Sequence, residues 1–448
     1  LGRLFGTDGA RGVANSELTC ELVMKIGRAA AMILTRESSR PRVMIGKDTR
    51  MSSDMLESAI AAGLCSVGAD VTFLGVVPTP AVAYLVKEKG FDAGVMISAS
   101  HNPCEYNGIK IFQSDGYKLP DELEDKIEEI ILDESAVIPA RTGGEVGRAY
   151  TDTQALSGYI AHVCKTAESP FDGMRIALDC ANGSACRTAP EVFSRLGAEC
   201  HVIAAEPDGV NINRNCGSTH MDALCGFVAE NRLDAGFAFD GDADRMLAVD
   251  ANGQVVDGDR IIALCAKHMK KSGRLAGDTA VVTVMSNMGF YRFCEQNGIA
   301  CVTAKVGDRY VLEEMLRGGY TLGGEQSGHV IFLDHANTGD GVLTAVQVMN
   351  VMKSSGKPLS ELACEMESYP QVLQNVRVSN MGKARYPGDE EIKESIAGAE
   401  RELGGDGRVL VRVSGTEPLV RVMLEGRDEG LITRLAEEIA EVVRTRLL

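Results

Sequence analysis

The sequence predicts an α/β chain built in several passes, with a smaller α+β segment at its end. Three observations carry this. Short apolar runs alternate with amphipathic segments along nearly the whole chain, the pattern of strands alternating with helices. At 448 residues the chain has room for roughly three domains of ordinary size. Glycine- and proline-rich punctuation then breaks the pattern at intervals and lets it restart.

From the N-terminus, Arg42 to Gly46 reads as a strand and Ser53 to Gly68 as a helix. Val71 to Leu74 is a second strand. Pro78 and Pro80 open another helix, since proline suits a first turn. Ala93 to Ile97 is a third strand, and after a polar loop Gly108 to Phe112 is a fourth. Pro120 to Leu132 is an acidic, amphipathic helix. Pro139 and the Gly143-Gly144 pair mark a boundary. The second pass has strands at Met174 to Cys180, Glu199 to Ile203 and Ala235 to Phe239, with a helix from Asn182 to near Gly197. A break near Asp257 starts the third, with strands at Ala280 to Val284, Ala300 to Ala304 and Tyr320 to Gly323. Beyond Lys357-Pro358 the order is strand, helix, strand, strand, helix. The resulting segments are 1–150, 151–256, 257–366 and 367–448.

The first three segments share a plan: an apolar strand, a polar loop and a short apolar return. The loops lie in VMISASHNPCEYNGIKIF from Val95, FAFDGDADRMLAVD from Phe237 and TLGGEQSGHVIFLD from Thr321. Ligands of α/β sheets gather at the carboxyl ends of strands, so these loops are the first place to look for chemistry.

Composition narrows the class. Hydrophobic residues are 45% and charged residues 24%, ordinary for a globular chain. The net charge of −17 repels nucleic acid and anionic membrane. An anionic substrate would need a local basic pocket. The thirteen cysteines include no CxxC pair and read as small buried hydrophobes in a reducing compartment. With no long apolar run and no signal-peptide pattern at Leu1, a soluble, cytoplasmic protein is expected.

Asp240-Gly-Asp242-Ala-Asp244-Arg245 is the most informative stretch. Three closely spaced carboxylates after a strand repel one another, and a divalent cation relieves that; otherwise the stretch is a solvated acidic turn. An EF-hand is excluded, because its glycine and glutamate positions would hold Arg245 and Ala251. Carboxylates sharing a hard cation with a phosphate oxygen suit magnesium. Ser98-Ala-Ser100-His101-Asn102-Pro103 lacks the glycines of a nucleophile elbow, and by spacing alone is an ordinary loop. Gly324 to His329 is a compact polar turn that offers a carboxylate and a hydroxyl to a sugar or an amine. Arg412-Val-Ser414-Gly415-Thr416-Glu417-Pro418, followed by Arg421, can cradle a phosphate. No Walker-type loop occurs, and Phe5 to Gly12 does not fit a dinucleotide fingerprint.

Together FGTDGARG, SASHNP, NGIK, DGDADR, GEQSGH and SGTEP, in this order from Phe5 to Arg421, resemble the α-D-phosphohexomutase superfamily, and most closely its amino-sugar branch. The resemblance implies four domains around a central cleft: three related α/β mixed-sheet domains and a C-terminal α+β phosphate-binding domain. It implies that Ser100 is phosphorylated and binds magnesium with Asp240, Asp242 and Asp244. Arg245, Glu325, Ser327 and His329 would meet the sugar. Arg412, Ser414, Gly415, Thr416 and Arg421 would hold the phosphate that is not reacting. Arg11, His101 and Lys110 would stabilise charge or move a proton. This chain departs from the family pattern at Cys104, at Tyr106 before NGIK and at Val413 before SGTEP.

The implied activity interconverts glucosamine 6-phosphate and glucosamine 1-phosphate through a bisphosphorylated sugar, feeding UDP-N-acetylglucosamine and cell-wall precursors. A hexose bisphosphate activator, a homodimer and a priming kinase accompany that reading. The rivals are phosphomannomutase or phosphoglucomutase activity on the same scaffold, a phosphoserine phosphatase and a non-catalytic sugar-phosphate sensor.

Overall fold

The computed structural model describes residues 3–6, 8–34, 40–133, 136–414 and 418–448, with Asn380 described in its backbone only. The chain divides into two compact units, Leu1–Met285 with Gly298–Glu365, and Ser286–Asn297 with Met366–Leu448.

The first unit holds three mixed sheets. One runs in the order Phe5–Gly6, Gly9–Val13, Tyr106–Gln113, Ala93–Ile97, Arg42–Lys47, Asp70–Val76, Ala149–Thr151. The next runs Val255–Val256, Met246–Asp250, Ala235–Phe239, Arg175–Asp179, Glu199–Ile203. The last runs Ala300–Ala304, Thr279–Thr283, Leu322–Gly324, Val330–Phe332. In each, a core of parallel strands is followed by an antiparallel return, Ala93–Ile97 with Tyr106–Gln113, Ala235–Phe239 with Met246–Asp250 and Leu322–Gly324 with Val330–Phe332, and the first two sheets extend it with further antiparallel strands. These are the three repeats read from the sequence, and each loop sits at the carboxyl end of a buried strand.

Several elements run differently from expectation. Tyr106–Gln113 begins two residues before the expected Gly108, because it pairs on both sides, with Ala93–Ile97 and with Gly9–Val13. The helix expected at Ser53 to Gly68 spans Met51–Ser66, and the chain leaves it through Gly68 at φ 97°. Helices Cys20–Leu34, Ala155–Lys165, Asp222–Asn231, Gly258–Lys271, Met288–Gln296, Asp308–Gly318 and Gly341–Ser355 are among those the strand pattern did not place. Gly341–Ser355 is buried from Gly341 to Met352, so it has no polar face for a period to reveal.

The second unit contains an antiparallel sheet in the order Gln371–Arg377, Leu419–Gly426, Gly407–Val413. Helices Glu390–Leu403 and Glu429–Leu447 share its core through Ile392, Leu403, Val422, Ile432 and Ile439. The cysteines are all free; four are buried, while Cys364 is exposed and the others are half-buried, so only those four are enclosed core fillers. Among the described residues no helix is long and apolar enough to cross a membrane.

Candidate active site

Ser100 lies just past the buried strand Ala93–Ile97 and is itself buried. Its Oγ donates to Asp240 Oδ2 at 2.5 Å, a contact between residues 140 apart in sequence. Asp240, Asp242 and Asp244 occupy the tight loop between Ala235–Phe239 and Met246–Asp250. The loop reaches Ser100 because residue 241 is glycine. A Cβ there would stand 2.6 Å from the Ser100 carbonyl oxygen.

The three carboxylates are buried, and one oxygen from each falls within 4.8 Å of the others. Burial first, then the neighbouring Asp244 and Asp242, pushes the Asp240 carboxyl well above its ordinary range. Asp242 Oδ1 and Asp244 Oδ1 are buried with no hydrogen-bond partner. Buried carboxylate oxygens without a donor are costly, and hard oxygen donors grouped this closely fit a divalent cation. The group can hold a metal ion.

A fixed cation stands beside them. Lys110, on Tyr106–Gln113, directs Nζ to Asp242 Oδ2 at 2.8 Å, Asp244 Oδ2 at 3.2 Å and Asp8 Oδ2 at 3.1 Å. Burial opposes its charge, but those carboxylates outweigh burial and raise its pKa. Thr79 Oγ1 donates to Asp242 Oδ2 at 2.6 Å from the start of helix Thr79–Glu88.

His101 and Arg245 flank the serine. Arg245 Nη1 donates to His101 Nδ1 at 3.2 Å, so that nitrogen carries no proton. Burial, then Arg245 and Arg11, lowers the His101 pKa to about 4. The imidazole is therefore neutral at pH 7. Burial disfavours the Arg245 charge, yet Asp244, Asp240 and Glu325 raise its pKa above the ordinary value. Arg11 pairs with Asp8, within the hairpin of Phe5–Gly6 and Gly9–Val13.

From the third sheet, Gly339 N–H donates to His329 Nε2 at 3.0 Å, which leaves the ring proton on Nδ1, facing Asp244 Oδ1 at 3.8 Å. Glu325 is half-buried and its Oε1 accepts the Gly307 N–H at 3.1 Å. Ser327 is exposed. In the second unit Arg412 and Arg421 face each other across adjacent strands. Burial, then Arg421, lowers the Arg412 pKa. Ser414 N–H donates to the Leu419 carbonyl at 2.8 Å. Gly415 and Thr416 lie outside the described residues.

Sequence reasoning missed Asp8, Lys118 and Asp308 as partners. Lys118 Nζ joins Asp8 Oδ1 at 2.6 Å and Asp308 Oδ2 at 2.5 Å. Burial works against the Asp8 charge, but Lys110, Lys118 and Arg11 hold its pKa well below the carboxylate range. Asp8 lay inside a quoted motif, whereas no local pattern marks Lys118 or Asp308.

Models of the phosphoglucomutase/phosphomannomutase family match nearly the whole chain: α/β/α domain I at residues 2–137, domain II at 157–253, domain III at 257–369 and the C-terminal domain at 373–442. The chain belongs to this family. The phosphoglucomutase/phosphomannomutase family comprises isomerases that move a phosphoryl group. Two relatives called phosphoglucosamine mutase, from Acetivibrio thermocellus and Ruminiclostridium cellulolyticum, are each 55% identical over 448 residues, covering all of both chains. A family protein from Burkholderia thailandensis superposes with a TM-score of 0.83 at 23% identity, over 99% of this chain and 98% of the other. An Aspergillus fumigatus N-acetylphosphoglucosamine mutase, solved with GlcNAc-6P and magnesium, superposes with a TM-score of 0.70 at 18% identity, over 99% and 96%.

Proposed function

We propose that the chain interconverts glucosamine 6-phosphate and glucosamine 1-phosphate, with Ser100 as the phosphoryl carrier. The observation that carries this reading is the buried contact of Ser100 Oγ with Asp240, inside a group of three buried carboxylates close enough to share a cation. The substrate choice is supported by the full-length relatives called phosphoglucosamine mutase.

Phosphorylated Ser100 gives its phosphoryl group to the free sugar hydroxyl, whose proton passes to a base of the site. Ser100 Oγ takes up a proton as it leaves, and the sugar is left doubly phosphorylated. After the intermediate turns, Ser100 Oγ gives up that proton to the site's base and takes the other phosphoryl group, and the sugar oxygen released is protonated. Asp240, Asp242 and Asp244 would hold Mg²⁺ together with the serine phosphate. When bound, the ion supplies charge neutralisation for the transferring group. Lys110, Arg11 and Arg245 add fixed positive charge in a dry site, where it acts strongly. Neutral His101 can accept or relay a proton through its ring nitrogens. Glu325 and Ser327 recognise the sugar, whereas buried His329, whose Nδ1 faces Asp244, supports the carboxylate group. Arg412, Ser414, Gly415, Thr416 and Arg421 hold the phosphate that is not reacting.

The same reading includes a hexose bisphosphate activator, a priming kinase, a homodimer and a cytoplasmic location. It also divides the chain at 1–150, 151–256, 257–366 and 367–448. The test is turnover of glucosamine 6-phosphate against glucose 6-phosphate and mannose 6-phosphate, with a hexose bisphosphate present. No turnover of the amino sugar would overturn the reading. Preference for mannose or glucose phosphate would move it to the neutral-sugar mutases.

A further inference from the structure

Ser100 has a left-handed backbone, with φ 50°. A residue with a Cβ rarely adopts that conformation, and it persists only where the surroundings hold it. Both backbone polar groups of Ser100 are held. On one side Ser98 Oγ accepts the Ser100 N–H at 3.0 Å and donates to Asp48 Oδ2 at 2.6 Å. On the other, Arg50 Nη2 donates to the Ser100 carbonyl at 2.9 Å. The same guanidinium reaches the carbonyls of Asn102, at 2.9 Å, and Pro103, at 3.3 Å. Arg50 Nε lies 3.0 Å from Asp48 Oδ2, with neither side chain exposed. Asn213, from the neighbouring sheet's loops, donates to the Ser100 and Asn102 carbonyls at 2.9 and 3.0 Å.

Asp48 and Arg50 lie in the turn between strand Arg42–Lys47 and helix Met51–Ser66. A buried ion pair is a poor source of net stability. A planar guanidinium, however, can donate along several directions at once without changing shape, as a lysine cannot. Here it spans the carbonyls on which the serine loop turns. The arrangement therefore fixes where Ser100 Oγ points, and Oγ meets Asp240 as a result.

We infer that Asp48 and Arg50 are positioning residues for phosphoryl transfer, acting on Ser100 through Ser98 and the loop carbonyls. This rests on Ser100 as the phosphoryl carrier. Displacement of a reacting group by a fraction of an ångström costs rate, not sugar affinity.

Two variants test it. Ser98→Ala cuts the link between Asp48 and Ser100 while leaving the ion pair. Arg50→Lys keeps the charge but not the fork. In each folded variant, kcat with glucosamine 6-phosphate is expected to fall by about tenfold or more. KM and the Mn²⁺ affinity of the dephosphorylated protein, measured by calorimetry, should stay within about twofold, since these residues touch neither sugar nor carboxylate group. Ser98→Ala alone decides the matter if Arg50→Lys does not fold. A kcat for Ser98→Ala within about twofold of wild type overturns the inference. So does a rise in KM matching the fall in kcat/KM, or a parallel loss of Mn²⁺ affinity. Absence of turnover in the wild type would instead overturn the proposed function beneath it.

Discussion

Lys110 Nζ stands 2.8 Å from Asp242 Oδ2, and both side chains are buried. The pair links the return strand of the first sheet to the acidic loop of the second. Removing one partner of a buried pair leaves the other uncompensated, at about 3–5 kcal/mol. Lys110→Met should therefore lose roughly that much stability in chelator. Added Mg²⁺ should narrow the gap, because a second cation then faces the same carboxylates. Denaturant unfolding with and without Mg²⁺ checks this; an equal loss in both conditions would refute it.

Asp242 is both a partner of Lys110 and a member of the proposed metal group. Asp242→Ala should lower kcat by about 10²–10³, the scale of a lost electrostatic stabiliser. Chelation of the wild type should abolish turnover, and Mg²⁺ should restore it. Full activity after rigorous chelation would remove any role for metal.

Glu128 offers a test by pH. Its carboxylate accepts the backbone N–H groups of Arg3, Leu4 and Phe5, each at 2.7 Å. It thereby ties down the hairpin that carries Asp8 and Arg11. Burial opposes ionisation, but the Phe5, Leu4 and Arg3 N–H groups and the Arg3 charge lower its pKa overall. A carboxyl with a depressed folded value stabilises fully above the unfolded value, about 4.3. That stability is lost as pH falls through the folded value. Glu128→Gln should cost about 1.5–3 kcal/mol at pH 7, the range for hydrogen bonds to a charged group. The gap from wild type should narrow as pH falls below that unfolded value and close as it passes through the lower, folded one. A gap independent of pH would mean that the charge is not what holds the hairpin.

The strand, loop and return plan was legible because each apolar strand is short, fully buried and followed at once by polar residues. Ala235–Phe239 and its acidic loop are the clearest case. The site's supporting charges were not legible in the same way. Asp48 and Arg50 follow a strand as a charged, threonine-containing turn, which by composition is a solvated turn, yet both are buried. Lys118 meets Asp308 across 190 positions, a separation that no local pattern encodes. Tyr106 and Asn107 read as loop because they are polar. In the structure the Asn107 amide donates to Ser52 and Ser53 Oγ at 2.9 and 3.0 Å, and the residue is buried in the strand. The Val413 departure takes an ordinary ladder position opposite Val420.

Substrate preference tests the third loop. Glu325 is held through the Gly307 N–H and contributes negative charge near Arg245. It can attract a protonated amine as well as accept from hydroxyls. Glucosamine 6-phosphate should exceed mannose 6-phosphate in kcat/KM by at least about tenfold, roughly 1.4 kcal/mol in the transition state. Glu325→Gln should shrink that ratio. Equal rates for the two sugars in the wild type would count against the amino-sugar reading.

The last prediction concerns Arg412 and Arg421, which sit directly opposite in the antiparallel pair Gly407–Val413 and Leu419–Gly426. Like charges at opposed positions are unfavourable, and burial adds to the cost at Arg412. A bound phosphate would relieve both, accepting from two guanidinium groups at once. A mutase that turns its intermediate needs such a grip on whichever phosphate is not reacting. Arg421→Ala should therefore raise KM for the sugar phosphate and release more bisphosphorylated intermediate into solution. Mn²⁺ affinity and phosphorylation of Ser100 should be nearly unaffected, since the carboxylates and the serine belong to other sheets. Kinetics, measurement of released bisphosphate and intact-mass analysis check these outcomes together. If the variant lost its phosphoserine while binding the sugar phosphate normally, Arg421 would act on the transferring group, and the division between the two phosphate sites would have to be reversed.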